Sequence, residues 1–215
     1  MAKENTAKES KTTSRKRRKQ TWFDVCLRAA DRFMKNEMWR DAIEACNAIE
    51  KIIPGHNYVY YMRGLAYLNA SMPEEALDDL THSIQIDNTD PECYNRRGAC
   101  YMMLGKHHQA LSDFDEAISI NGETARYYAN RGLCYMEIED NCHAIKDLDK
   151  AISLDTKQEL DDIYFFRGEA HSRLGNYKLA LADYEREIEL NPLDMNAFAS
   201  RVLVLEMMKG EISTK

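Results

Sequence analysis

Proline is scarce in this chain, with 4 residues in 215, and glycine nearly so, with 9. A β-rich fold built on many tight turns needs more of both, so the scarcity favours helices. No apolar run approaches the roughly 18 residues that a membrane helix requires. The basic N-terminus is not followed by an apolar stretch and a small-residue cleavage site, so it does not read as a secretory signal. Glycine-rich phosphate loops, Gly-x-Ser-x-Gly and His-Glu-x-x-His are all missing, and an enzyme is not expected. The six cysteines, Cys26, Cys46, Cys93, Cys100, Cys134 and Cys142, lack the tight spacing of a disulfide scaffold. They read as free thiols in a reducing compartment. Cys142 and His143 are adjacent, but neighbouring helix residues point different ways and lack ligand spacing. No metal and no cofactor is expected.

Charge is unevenly spread. Residues 1–20 hold eight basic side chains against Glu4 and Glu9, a balance of +6. The whole chain carries −7, so residues 21–215 carry −13. An acidic body offers no footprint for phosphates, which excludes nucleic acid as a ligand of the folded part. Residues 1–20 show no apolar periodicity and should form a disordered basic tail. Its run Arg15–Lys19 fits a nuclear import signal, an anionic-surface contact or a solubilising tail. The expected compartment is the cytoplasm, or the nucleus if the source is eukaryotic. Thr21, with Asp24 three residues on, resembles a capped helix start.

What the chain does have is a period. Arg-Gly pairs stand at Arg63-Gly64, Arg97-Gly98, Arg131-Gly132 and Arg167-Gly168, at steps of 34, 34 and 36. Twelve residues after each Gly comes Ala76, Ala110, Ala144 or Ala180, and Ala30 and Ala42 extend the frame backwards with the same spacing. Tyr60, Tyr94, Tyr128 and Tyr164 lie four before each Gly; Tyr67, Tyr101 and Tyr135 lie three after, with His171 in the last copy and Phe33 in the first. Each copy holds two stretches of helical period, as in Tyr94, Gly98, Tyr101 and Ala110, Phe114, Ala117. Gly and Ala let two helices approach closely, and a lone hairpin must stack on neighbours to bury its apolar face. Asp79, Asp113, Asp147 and Asp183 each follow an Arg of the pair by sixteen residues. A partly buried Arg needs a counter-ion, so this second ladder is expected to be structural.

These residues and their period resemble the tetratricopeptide repeat (TPR). The resemblance implies an all-α, right-handed α-solenoid of five helix-turn-helix repeats at 23–56, 57–90, 91–124, 125–158 and 161–194, within residues 21–194. A C-terminal capping helix at 195–210 would complete it. The terminal Pro of the pattern survives only as Pro54 and Pro192, and two extra residues near Gln158–Leu160 separate the fourth and fifth copies. In the end helix, Phe198, Val202 and Leu205 are expected to pack on the repeat beneath, leaving Val204 and Met207 exposed beside Leu203.

In this family the first helices line a groove that holds a peptide or a helix. The matching places carry Tyr58, Tyr61, Met62, Asn95, Arg96, Arg126 and Asn130, which suits a protein partner with apolar anchors and an acidic group. A subgroup clamps the acidic tails of heat-shock chaperones, but here its clamp is incomplete in every frame. Over the third to fifth copies only Asn130 matches, with Asp162 and Phe166 at basic places; Arg126 and Arg96 fit only in earlier frames. The expected function is therefore a protein–protein interaction adaptor or scaffold. The alternatives are a structural subunit acting through its end helix and basic tail, with self-association at that helix, and a co-chaperone-like protein with a partial clamp. No membrane insertion is expected.

Overall fold

A computed structural model describes residues 22–213, with side chains through Lys209. The readings placed on residues 1–20, on Arg15–Lys19 and on Thr21 lie outside the described residues. The described chain is helical throughout: α1 over 22–35, then α2 (Trp39–Ile52), α3 (Asn57–Asn69), α4 (Pro73–Ile86), α5 (Pro91–Met103), α6 (His107–Ile120), α7 (Ala125–Glu137), α8 (Asn141–Leu154), α9 (Ile163–Arg173), α10 (Tyr177–Leu190) and α11 (Met195–Ser213). It divides into two compact units at Cys100/Tyr101, within α5.

The turns that pair the helices share one construction. Glu37, Ser71, Gly105, Glu139 and Gly175 all have positive φ, between 57° and 68° in the first four and 74° in the last. The N–H of the following residue bonds back to the carbonyl of Phe33, Tyr67, Tyr101, Tyr135 or His171, at 2.8–2.9 Å. A second bond joins the left-handed residue's N–H to the carbonyl three residues before it, as Glu139 to Met136 at 3.1 Å. This pair of bonds satisfies the last carbonyls of a helix and stops it.

In the first unit, Phe23, Ala30, Cys46, Ile49, Val59 and Met62 form one core cluster, and Ala76, Leu80 and Cys100 another. In the second unit, Met136, Ala144, Leu148, Ala151, Ile163 and Ala170 form the largest cluster. The glycines lie at close crossings. A Cβ built on Gly64 would stand 2.9 Å from Leu80 Cγ, and one on Gly168 2.8 Å from Tyr184 Cε1.

Two sets of positions, unread in the sequence, supply the rest of each first helix's inner face. Val59, Cys93, Tyr127, Ile163 and Ala197 share one place in the period and are all at most 5% exposed. Ala66, Cys100, Cys134, Ala170 and Val204 share another and are at most 1% exposed. They correct the expectation for α11. Val204 is buried against Ala180 and Tyr184, with Met208 beside it. Val202 is 52% and Phe198 36% exposed, so these two do not form the packed stripe.

The Arg–Asp ladder is present and has a second partner. Arg63 grips Asp79 with Nε at 2.7 Å and Nη2 at 2.6 Å, and its Nη1 donates to Asn47 at 2.7 Å. Arg131 grips Asp147 and reaches Asp115 at 2.6 Å. Arg167 grips Asp183 and reaches Asp149 at 2.7 Å. Arg97 meets Thr81 at 3.4 Å and Arg201 meets Glu185 at 3.5 Å. Each guanidinium thus reaches the second helix of the preceding repeat, and its planar fork suits two oxygen partners at once.

Candidate partner-binding surface

In the first unit, the outer faces of α1, α3 and α5 bring aromatic and charged groups together. Tyr58 is 43% exposed and donates its hydroxyl to Asp31 Oδ1 at 3.3 Å. Its ring lies 6.4 Å from that of Tyr61. Tyr61 is half-buried, and burial, reinforced by the Glu92 carboxylate, pushes its phenol well above the usual range. The Arg96 guanidinium offsets part of that push and is itself paired with Glu92 at 2.6 Å. Met62 is 3% exposed and Asn95 fully buried. Both contribute packing rather than a surface a partner could touch, which corrects their placement in the groove. Helical offsets alone could not separate them from Tyr58.

In the second unit, Arg126 is exposed near the start of α7, and Asn130 is half-buried one turn later. Asp162, the αL residue that starts α9, has φ 56°. Its carboxylate, Glu187 and Asp194 bring ligand oxygens within 4.8 Å of one another. Beside them lies a cavity of about 560 Å³ lined by Gln158, Leu160, Asp161, Asp162, Tyr164 and Glu187, among others. Leu160, in the stretch that interrupts the period, thus helps line the cavity. Glu187 is 3% exposed. Burial first, then Asp162, Asp194 and Asp161, push its carboxyl up, while the Phe165 N–H pulls it down. Asp162 is raised by burial and by Asp194 and Asp161. No Lys, Arg or His pairs with this cluster among the described residues. Nothing in the sequence reading marked it, although an acid at Glu187, where other copies carry Ser83, Ala117 and Ala151, was the available signal.

Three buried thiols, Cys46, Cys93 and Cys134, are not activated nucleophiles. Burial pushes Cys46 and Cys93 up to about 12 and Cys134 up to about 11, which keeps them protonated at neutral pH. No disulfide joins any of the six cysteines.

Residues 58–90, 91–123, 125–158 and 161–194 match tetratricopeptide repeat family models. The chain is a tetratricopeptide repeat protein. Solved TPR structures share its fold. MamA superposes with a TM-score of 0.68 at 23% identity, over 78% of this chain and 91% of its own. YrrB, a TPR protein with an unusual peptide-binding site, superposes with a TM-score of 0.66 at 17% identity, over 80% of this chain and 88% of its own. These likenesses show the all-α TPR solenoid fold and no more. The peptidyl-prolyl cis-trans isomerase PASTICCINO1 of Arabidopsis thaliana is 33% identical over 63 residues, 29% of this chain. That stretch is 10% of the isomerase's length and lies in its TPR part. The TPR fold makes this chain a repeat scaffold for protein–protein interaction. Among its described residues no helix is long and apolar enough to cross a membrane.

Proposed function

We propose that this TPR protein is an adaptor that holds a segment of a partner protein against the exposed faces of its first helices. The observation that carries the reading is the pairing of Tyr58 and Tyr61 beside the Arg96–Glu92 pair on the first unit. Large aromatic rings give contact area at small entropic cost, and Arg adds directional hydrogen bonding to a carboxylate. In the second unit, Arg126 adds an exposed cation on α7. The chemistry suits an extended segment with an apolar anchor and an acidic group, and the peptide-binding site of YrrB supports a TPR fold in this role. Cytoplasm is the compartment this reading places it in, with the nucleus as the alternative that Arg15–Lys19 offers. The test is affinity capture from an extract of the native organism. Arg96→Glu/Arg126→Glu should lose the principal interactor while far-ultraviolet circular dichroism stays unchanged, because the half-buried i,i+4 pair of Arg96 and the exposed Arg126 carry specificity more than stability. Recovery of the same interactor by the double variant contradicts the reading.

A second reading, a subunit that works through its end helix, is favoured by the apolar residues that α11 leaves exposed: Met195 at 74%, Phe198 at 36%, Val202 at 52%, Leu203 at 54% and Met207 at 41%.

A further inference from the structure

Three carboxylates converge in the second unit from three separate elements. Asp162 starts α9, Glu187 lies in the last turn of α10 and Asp194 immediately precedes α11. Their ligand oxygens all lie within 4.8 Å of one another. Stacking of the repeats does not require these acids. Arg126 and Ala151 hold the places of Asp162 and Glu187 in the fourth repeat, which packs without either.

Glu187 points independently to a ligand. It is 3% exposed, yet it lines the cavity of about 560 Å³ together with Asp161, Asp162 and Asn191. Its one hydrogen-bond donor among the described residues is the Phe165 N–H, whereas a carboxylate has about four lone-pair sites. No Lys, Arg or His forms an ion pair with it among the described residues. The remaining capacity of a buried carboxylate is thus left unmet at the cavity wall, and such a group is costly until a cation or further donors meet it.

We infer that Asp162, Glu187 and Asp194 bind a calcium ion. The donor set is all oxygen, which suits a hard cation rather than zinc or copper. Ca²⁺ takes about six to eight oxygens at roughly 2.3–2.6 Å in irregular geometry, whereas Mg²⁺ demands a near-ideal octahedron at roughly 2.0–2.1 Å. Two oxygens on opposite sides of the ion therefore stand about 4.6–5.2 Å apart around Ca²⁺ and about 4.0–4.2 Å apart around Mg²⁺. Carboxylates gathered within 4.8 Å from a turn, a helix end and a helix start fit around the larger ion without further closure. The cavity beside them has room for the water ligands that complete its shell. The bound ion ties the start of α9 to the end of α10 and the start of α11, and so makes the fifth repeat and the end helix calcium-dependent in stability. This goes beyond the adaptor reading and does not depend on it.

The full chain, stripped with EDTA and desalted, is titrated with CaCl₂ by isothermal titration calorimetry. One Ca²⁺ per chain should bind with a Kd on the order of 10⁻⁵–10⁻⁴ M, and MgCl₂ should bind about tenfold more weakly or worse. Saturating Ca²⁺ should raise the melting temperature by roughly 5 °C. Asp162 is exposed and Asp194 half-buried, so Asp162→Asn and Asp194→Asn keep the fold. Each should weaken Ca²⁺ by about tenfold or more, because each removes a charged ligand. Glu187→Gln should lose Ca²⁺ binding while melting no lower than the wild type in EDTA, which separates a ligand from a packing residue. A wild type with neither binding heat nor a melting shift up to about 10 mM Ca²⁺, well above the weakest calcium modules, overturns the site. Asp162→Asn and Asp194→Asn that bind Ca²⁺ as tightly as the wild type overturn it too, and Mg²⁺ that binds as tightly as Ca²⁺ overturns the choice of calcium.

Discussion

Glu187 occupies a buried place that Ser83, Ala117 and Ala151 fill in other repeats. Burial and three neighbouring acids raise its carboxyl, so folding favours the protonated form. The sign follows from linkage: a raised acid in the folded state gives stability that is complete below its ordinary value of 4.5 and is lost as pH rises through the raised value. Glu187→Gln keeps the shape and removes the charge. It should melt above the wild type at pH 7, and the gap should close as pH falls toward 4.5; melting curves at the two pH values check this. The Gly and Ala positions of the period were legible because a close helix crossing admits almost nothing else. The inner-face series Val59, Cys93, Tyr127, Ile163 and Ala197 was not, because burial there accepts any apolar shape and leaves no common residue type. Met62 and Asn95 were assigned to a surface for the same reason: offsets fix a direction, but not what covers it.

A helix hairpin here depends on one residue in the left-handed region at each turn. Gly105 and Gly175 adopt it freely, while Glu37, Ser71 and Glu139 pay for their Cβ there. Glu139→Gly should therefore stabilise by about 0.5–1 kcal/mol, the left-handed penalty relieved less the added freedom of the unfolded chain. Chemical denaturation with an unchanged slope measures it. Helix positions followed from the period, but the packed face of α11 did not. Leu203, Val204, Leu205, Met207 and Met208 are apolar on several sides, so periodicity within that one helix cannot choose among them. The choice comes from the register of the other repeats, in which Ala66, Cys100, Cys134 and Ala170 are fully buried and Val204 is their counterpart. The Arg ladder shows the same limit: spacing found Asp79, Asp147 and Asp183, but not Asn47, Asp115 and Asp149, which fasten each Arg to the repeat before it.

Across each unit the repeats stack by one rule, with an apolar inner face and an Arg that reaches the second helix of the repeat before it. Tyr58, Arg96 and Arg126 differ from their counterparts in other copies, and the proposed adaptor function rests on them. The second helices turn other side chains to solvent, among them Glu75 and Lys146. Photo-crosslinking distinguishes the two faces directly. A photoreactive residue placed in turn at Tyr58, Arg126, Glu75 and Lys146, in otherwise wild-type chain in the native extract, should join the partner from Tyr58 and Arg126 and not from Glu75 or Lys146. Crosslinks from Glu75 and Lys146, with none from Tyr58 or Arg126, would contradict binding on the first helices.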